Sequence, residues 1–266
     1  MDSEKAEFSD PQAYENDRGF PYADAEEEAK VIRKLDWRLL PQVFLLYSLA
    51  VLDRSNLGNA RLAGMEDDIN LSGNRYNLLG TIFYIAYILF QWTISGFKQF
   101  PPHIWIAFVV FFWGFVATIQ ATAFSWSGLM ACRFFLGVAE AMFGPGVPLY
   151  LTYFYPREKV GFRHGVFISG AAMANAYGGA LAYGISQIRG SVAPWKLLFI
   201  IEGIPTCLLA FVIFFTIPDS INSAKFLTER EKAVANSFVA RNQKTDQNHK
   251  TGLRVKELLE AFKDPK

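Results

Sequence analysis

Apolar residues are gathered into six long stretches along this 266-residue chain, and short polar or charged segments separate them. A helix needs about 20 predominantly apolar residues to cross the hydrocarbon core of a bilayer. The pattern therefore predicts an all-α membrane protein with six transmembrane helices in a domain of residues 35–218. The predicted spans are residues 35–57, 76–97, 104–122, 127–150, 165–188 and 196–217.

Polar segments flank this domain on both sides. Residues 1–34 are acidic and polar, without the basic start and apolar core of a signal peptide, and are predicted to be a disordered cytoplasmic tail. Residues 219–266 are predicted to be a cytoplasmic connector with short amphipathic helices. The sequence from Thr228 to Glu231 has the pattern of a capping box, and residues 253–262 form a second amphipathic piece.

Basic residues concentrate in the segments that we expect to face the cytoplasm. One cluster precedes the first span, and the segment PREKVGFRHG separates the fourth span from the fifth. Because an excess of Lys and Arg marks the cytoplasmic side, both termini of this multi-pass protein are predicted to be cytoplasmic. No retention signal is visible, so the plasma membrane is the default location. A net charge of +1, without a basic patch interleaved with aromatic residues, predicts no nucleic-acid partner.

The fourth span carries two charged residues, Arg133 and Glu140, in its apolar body. A charge at the bilayer centre costs about 2.5–3.5 kcal/mol on insertion scales. The two residues face the same side of the helix but lie about 10 Å apart along its axis, too far for a close ion pair. Each is therefore expected to find a partner on another helix, in a water-filled cavity or in a ligand. The alternative is that Arg133 extends to the lipid headgroups.

Charged residues also occur in the first and the sixth span. The first span has only 14 uncharged residues before Asp53 and Arg54, so it must include both charges to cross the membrane. They are either an interfacial anchor, or Arg54 points into a cavity. Glu202 lies near the predicted outer end of the sixth span, and an interfacial position is the preferred interpretation.

The fifth span is rich in small residues. Small side chains recur every four residues and allow another helix to approach closely. They are Gly170, Ala174, Gly178 and Ala182. The same span carries Asn175, followed by Tyr177. For a lone membrane asparagine, hydrogen bonding between helices is favoured over contact with a ligand.

The polar segments contain no metal-ligand cluster, nucleophile motif or glycine-rich phosphate loop. The sequence thus predicts that the chain is not an enzyme and that it holds no metal.

Within RFFLGVAEA, the residues Arg133, Gly137 and Ala141 follow an Arg-xxx-Gly-xxx-Ala pattern, which resembles that of the major facilitator superfamily. Four further motifs are LDRSNLGNARLAG, PPHIW, LGVAEAMFGPGVPLYLTYFY and LFIIEGIP followed by IPDS. Together these four resemble the fungal allantoate permease family, whose members are anion:cation symporters of that superfamily. RSNLG and the Arg133–Glu140 pair also resemble organic-anion carriers of animals, among them the vesicular glutamate transporters and sialin.

This resemblance implies transport of a small organic anion across the membrane, coupled to protons. The anion is a carboxylate such as allantoate, nicotinate or a vitamin. By resemblance, Arg54 and Arg133 bind the anion, and Glu140 couples its movement to protons. Asp53 is a further candidate for proton coupling. Further substrate-binding candidates are Asn56, Asn175 and Tyr177. No cofactor beyond the coupling ion is expected.

The sequence departs from the superfamily pattern in two motifs and in length. SGFKQFPPHIW lacks the acidic residue of the usual motif between spans two and three, and NAYGG replaces the Gly-Pro motif of drug antiporters. Family members have two six-helix halves, and this chain resembles the first half and the connector. It is interpreted as a partial or truncated transporter chain that needs the missing C-terminal half or another transporter chain as its partner. The alternative is a non-transporting half-transporter, a binding or regulatory membrane partner that pairs through the small residues of the fifth span.

Overall fold

The computed structural model describes residues 24–188 and 190–243, and all regular structure in these residues is helical. The ten α-helices are α1 (Ala25–Ala60), α2 (Glu66–Ile69), α3 (Arg75–Leu89), α4 (Gly96–Gln99), α5 (Pro102–Ile119), α6 (Trp126–Phe143), α7 (Gly146–Leu151), α8 (Arg157–Ser186), α9 (Pro194–Thr216) and α10 (Glu229–Gln243). A π-helical segment, Arg61–Met65, follows α1, and two short 3₁₀ segments, Gln91–Ser95 and Gln120–Thr122, follow α3 and α5.

Among the described residues, four helical segments are long and apolar enough to cross a membrane. They are Ala25–Ile69, Pro102–Thr122, Trp126–Leu151 and Pro194–Thr216. A fifth is obtained if Arg75–Leu89 and Gln91–Gln99, which meet at a bend of 44°, count as one span. The fifth predicted span lies in α8, which is 30 residues long but rich in small and polar residues. The all-helical prediction is confirmed, and the count of six spans stays a prediction.

Helix α1 begins at Ala25, well inside the segment predicted to be a disordered tail. Three acidic residues in its first turn favour this start, because negative charge stabilises the N-terminal end of a helix. Val31 and Leu35, near the N-terminal end of α1, are buried in the same core cluster as Val234 and Phe238 of α10. The prediction of disorder was therefore wrong for residues 25–34, because the partner of this apolar stripe lies about 200 residues further along the chain.

The connector helix α10 begins with the predicted capping box. The Glu231 carboxylate accepts a hydrogen bond from the Thr228 backbone N–H at 2.7 Å, and the Thr228 hydroxyl accepts one from the Glu231 N–H at 3.3 Å. The box satisfies two backbone donors that the first turn leaves unpaired. The second predicted amphipathic piece, residues 253–262, lies outside the described residues.

Glycines set the distance between two of the packed helix pairs. A Cβ atom on Gly203 of α9 would lie 2.3 Å from the Thr118 hydroxyl and 2.7 Å from its backbone nitrogen on α5. A Cβ atom on Gly137 of α6 would lie 2.3 Å from the Phe83 carbonyl oxygen of α3. Real Cβ atoms do not approach other atoms so closely. The helix pairs α5–α9 and α3–α6 thus pack at a distance that only glycine permits at these positions.

The small-residue face of α8 packs against α1. Gly170, Ala174 and Gly178 are buried, and a Cβ atom on Gly170 would lie 2.8 Å from the Phe44 carbonyl oxygen. The Ser48 hydroxyl donates a hydrogen bond to the Gly170 carbonyl at 3.0 Å. The predicted close helix approach is confirmed. Because the partner is α1 of the same chain, this face does not serve the pairing with a second chain that the half-transporter alternative requires.

Two buried apolar clusters fill the helical bundle. The larger one includes Leu46 and Ala50 of α1 and Leu136 of α6, while the smaller one includes Leu57 of α1 and Leu129 of α6. On α1, the buried Asp53 and Asn56 lie between the two clusters, and Arg133 does so on α6, while Glu140 lies within the part of α6 that belongs to the larger cluster. The apolar interior of the bundle therefore contains a polar layer at and beside the boundary between the two clusters.

Candidate functional site

The polar layer holds charged and polar residues from four helices, which we name the central polar cluster. Its members are Asp53, Arg54 and Asn56 of α1, Trp113 of α5, Arg133 and Glu140 of α6, and Glu202 of α9. Asp53 and Arg54 are consecutive, so they leave the helix about 100° apart and meet different partners. Asp53 accepts a hydrogen bond from the Trp113 indole N–H, whereas Arg54 donates one to the Glu140 carboxylate.

The Arg54–Glu140 ion pair connects α1 with α6. Glu140 is buried, with its side chain 1% exposed, while the Arg54 side chain is 24% exposed. The Arg54 guanidinium carbon lies 5.6 Å from the ring centre of Phe83 and 5.2 Å from that of Tyr87, both on α3. Such cation–π contacts stabilise a cation where water is scarce. The expectation that Glu140 finds its partner on another helix is confirmed.

Arg133 is 2% exposed and only partly hydrogen-bonded. Its Nη1 donates to the Asp53 carbonyl oxygen at 3.4 Å, while Nε and Nη2 find no hydrogen-bond partner among the described residues. The guanidinium carbon lies 5.8 Å from the Phe199 ring centre on α9. A guanidinium has five N–H donors, so most of its capacity is unused. The alternative that Arg133 extends to the headgroups is wrong, because its side chain points into the bundle.

Glu202 is also an inward-facing residue, with 4% exposure. Neither of its carboxylate oxygens has a hydrogen-bond partner in the described part of the chain. Its carboxylate interacts electrostatically with Asp53 and Arg133. The preferred interpretation of Glu202 as an interfacial residue is therefore wrong. Of the two alternatives for Asp53 and Arg54, the interfacial anchor is wrong as well, since Asp53 is 3% exposed.

The three uncharged candidate residues occupy different environments. Asn56 is fully buried, and neither atom of its amide group has a hydrogen-bond partner among the described residues. Tyr177 is half-buried and interacts electrostatically with Glu202 and Asp53. Asn175 is exposed on α8, away from the small-residue face that packs against α1. Asn56 thus belongs to the cluster and Tyr177 borders it, while the structure does not bring Asn175 to it.

Several polar atoms of the cluster have no hydrogen-bond partner in the described part of the chain. Burying an ion costs several kcal/mol unless a partner and further hydrogen bonds compensate. Unpaired polar atoms occur on Asn56, Arg133, Glu140 and Glu202. Such a site is suited to a ligand that carries charge, or to a proton. The described residues contain no group of three or more His, Cys, Asp or Glu placed to hold a metal ion.

Sequence reasoning missed two functional groups of this cluster, Trp113 and Glu202. Trp113 appeared as one aromatic residue in an apolar span, and nothing in the sequence indicates that its N–H reaches Asp53. Glu202 had a visible signal, because it is a lone acid in an otherwise uncharged stretch of the sixth span. An intramembrane acid is a candidate functional residue by default.

A helical bundle with buried, incompletely paired charges in its apolar interior is typical of membrane transporters. The family model of the Major Facilitator Superfamily matches residues 43–265. The chain therefore belongs to the major facilitator superfamily.

Curated relatives support this assignment. The Major facilitator-type transporter hxnP of Emericella nidulans is 39% identical over 250 residues, which are 91% of this chain and 50% of that protein. An uncharacterized transporter of Schizosaccharomyces pombe is 38% identical, over 91% of this chain and 48% of its own length. The MFS-type transporter efuF of Hormonema carpetanum is 39% identical, over 80% of this chain and 44% of its own length. The chain spans about half the length of these relatives.

A solved structure agrees at the level of the fold. A bacterial homolog of the human lysosomal transporter Spinster, in an inward-facing and occupied conformation, superimposes with a TM-score of 0.59. It is 24% identical, and the match covers 68% of this chain and 44% of that one. Together the comparisons confirm an integral, multi-pass membrane protein. They also confirm that the chain is not an enzyme, because the family and the named relatives are transporters.

Proposed function

We propose that this chain forms the N-terminal six-helix half of a proton-coupled transporter for a small organic anion, of the allantoate permease type. The observation that carries the proposal is the buried Arg133, whose Nε and Nη2 have no partner among the described residues. The motifs around Arg54 and Arg133, with their resemblance to anion:cation symporters, support the same function.

A carboxylate matches the donors of an arginine. The guanidinium is planar and presents N–H groups in a fork that fits the two oxygens of a carboxylate. Arg133 provides such a fork in the interior of the bundle, with Asn56 unpaired in the same polar layer. Allantoate, nicotinate and vitamin carboxylates have the group that this site would bind.

The Arg54–Glu140 pair provides a mechanism for proton coupling. As long as Glu140 is ionised, it occupies a hydrogen-bonding edge of Arg54. A proton on Glu140 removes that attraction and frees the guanidinium for the anion. Asp53, held by the Trp113 N–H, would bias the same step through its charge. Anion and proton would then enter the site together, which is symport.

Transport also needs a second half-bundle. In this superfamily, two six-helix halves rock against each other around a site at the midplane. We propose that the C-terminal half, or another transporter chain, covers the exposed side of Arg54. The protein would lie in the plasma membrane with both termini in the cytoplasm.

The function can be tested in yeast cells that express the gene encoding this chain, with and without Arg133→Ala. Each hydrogen bond to a charged group contributes about 1.5–3 kcal/mol, so the loss of two predicts at least a 100-fold lower uptake of labelled carboxylates. The exposed Arg157 on α8 provides the control, since Arg157→Ala should leave uptake unchanged. Membrane fractionation verifies insertion of each variant. Unchanged uptake by an inserted Arg133→Ala protein would disprove anion binding at this residue.

Proton coupling is tested with Glu140→Gln, which permanently removes the negative charge. We expect exchange of anion across the membrane to continue, while accumulation driven by a pH gradient is lost. If this variant still accumulated the anion against the concentration gradient of the anion, the coupling role of Glu140 would be disproved.

A further inference from the structure

The central polar cluster contains more acidic than basic side chains. Its three carboxyl groups belong to Asp53, Glu140 and Glu202, and its two guanidinium groups to Arg54 and Arg133. If all five were ionised, the buried layer would carry a net charge of −1. A net charge in the apolar interior is costly, and a buried acid avoids this cost by keeping its proton. One carboxyl group of the cluster is therefore expected to be neutral.

Hydrogen bonding distinguishes the three acids. Glu140 accepts a hydrogen bond from Arg54, and Asp53 accepts one from the Trp113 N–H. A donor that points at a carboxylate favours the ionised form. Both oxygens of Glu202 lack a donor among the described residues, although the side chain is 4% exposed. Glu202 is the acid whose surroundings favour the neutral form.

The electrostatic surroundings of Glu202 contain one positive group. The charged or titratable side chains that face it are Asp53 of α1, Arg133 of α6 and Tyr177 of α8. Other elements packed against α9 keep their titratable groups elsewhere: His103 of α5 is bonded to Asp219, and Arg61 of the π-helical segment to Glu66. Glu202 thus shares a single arginine with a second acid, which weakens the attraction for its ionised form.

We propose that Glu202 is a proton-binding site, protonated in the conformation described here, and that its proton keeps Arg133 available to an anion. In its ionised form, Glu202 would turn to the Arg133 guanidinium and compete with a substrate carboxylate for the free N–H groups. Protonation removes this competitor without moving a helix. The protonation of Glu202 is independent of the proposed transport, whereas its effect on anion uptake rests on that proposed function.

The two arginines then stand in parallel arrangements. Arg54 has Glu140 as an acidic competitor and is paired with it here, whereas Arg133 has Glu202 and keeps free donors. In this structure, an acid occupies the guanidinium group of Arg54, whereas the guanidinium group of Arg133 has N–H groups available for an anion. One proton at each acid would be needed to open both arginines to a single anion.

Infrared spectroscopy of the purified protein in lipid tests the protonation directly. A protonated carboxylic acid has a carbonyl stretching band that a carboxylate lacks. We expect this band at neutral pH in the unmodified protein, and we expect Glu202→Gln to remove it while the exposed control Glu158→Gln retains it. A band that Glu202→Gln leaves unchanged, or the absence of any such band in the unmodified protein, would overturn the proposal.

Thermal melting and anion uptake complete the test. Glutamine is neutral and close in size to a protonated glutamate, so Glu202→Gln should melt at the same temperature as the unmodified protein. Misfolding of this variant would show that an ionised carboxylate is needed, which contradicts the proposal. In uptake assays, the rate of the variant should fall at least tenfold less at alkaline pH than the rate of the unmodified protein, because both still need a proton on Glu140 but only the unmodified protein needs one on Glu202. If the unmodified protein transports no anion when it is expressed together with the proposed C-terminal half, the proposed function fails, and the infrared band still decides the protonation of Glu202.

Discussion

The charged groups at the end of the bundle where α10 lies, here called the α10 end, differ from those in the central polar cluster in how completely they are paired. At the α10 end, Arg163 donates two hydrogen bonds to Asp36, at 2.8 and 2.7 Å, and a third to the Lys159 carbonyl at 2.7 Å. In the central polar cluster, Arg133 is more deeply buried but makes one hydrogen bond to the described residues, at 3.4 Å. One buried arginine thus uses several of its donors, whereas the other leaves most of its donors unpaired.

This difference distinguishes charges that stabilise the fold from charges that are available to bind an anion or a proton. A fully bonded ion pair fixes one arrangement of helices and gains nothing from a ligand. An arginine with unused donors is costly in the isolated bundle, and a bound anion can supply what is missing. We therefore expect substitutions at the α10 end to change the stability of the protein, and substitutions in the central polar cluster to change proton and anion binding.

The largest effect on stability should come from Arg163→Ala, which leaves Asp36 without its bidentate partner. Removing one partner of a buried ion pair costs about 3–5 kcal/mol, and we expect the low end because the Asp36 side chain is 25% exposed. Thermal melting of the purified protein measures this loss, with Arg157→Ala as the exposed control. The pH dependence of anion binding should stay unchanged. A shift in that dependence with intact stability would break the distinction between the two regions.

An intermediate effect is expected for Trp113→Phe, which removes the N–H donor to Asp53. A hydrogen bond to a charged group contributes about 1.5–3 kcal/mol, and the aspartate left behind is buried. Trp195→Phe is the matched control, because Trp195 is also buried and its N–H donates to Asp68 at 2.7 Å. Asp68 is exposed, so water can replace the lost donor. Equal melting temperatures for the two variants would contradict the special role of the buried Asp53.

The smallest effect concerns the ion pairs Lys34–Glu231 and Arg230–Glu27, which connect α10 with α1. The hydrogen bond from Arg230 lowers the pKa of Glu27. Burial opposes ionisation of Glu231, but hydrogen bonds from Lys34 and the Thr228 backbone outweigh it and lower the pKa of this group too. A lowered pKa stabilises the fold above the ordinary value of 4.5, and the contribution is lost as the pH falls below it.

Because the side chains of both pairs are between 25% and 54% exposed to solvent, the loss should be below about 1 kcal/mol for each pair. Hydrogen exchange of residues 229–243, corrected for its intrinsic pH dependence, should show that α10 opens faster as the pH is lowered below 4.5. A Glu27→Gln, Glu231→Gln protein should show no such change. Opening that accelerates equally in both proteins would assign the pH effect to other groups.

Much of the fold follows from local pattern, because an apolar stretch and its polar boundaries are visible in the sequence itself. Predicted spans 104–122 and 196–217 differ from the structure by about two residues at their starts. The N-terminal extension of α1 was missed, since its apolar stripe has meaning only when α10 is known to cover it. The break between α6 and α7 at Gly144 was missed too, because the glycine and proline residues there lie within a continuous apolar stretch of the sequence.

The candidate site was predictable to the extent that a charge stands out within an apolar run. Arg133 and Glu140 could be recognised in this way, and their separation already indicated that they would not pair with each other. The partners could not be predicted, because the Arg54–Glu140 contact joins residues 86 positions apart. Glu202 was misplaced because sequence gives the depth of a residue along its helix but not the face on which it lies.

Helix α1 runs without interruption for 36 residues and carries both Asp53 and Arg54 of the central polar cluster and, near its N-terminal end, the contacts with α10. Arg54 and Lys34 are about 30 Å apart along this rod at 1.5 Å per residue. A tilt of about 10° around Arg54 would displace Lys34 by about 5 Å, more than the Lys34–Glu231 ion pair of 2.8 Å can tolerate. The helix is in this sense a lever arm, which enlarges a small rearrangement at the arginine into a movement that the connector must follow or resist.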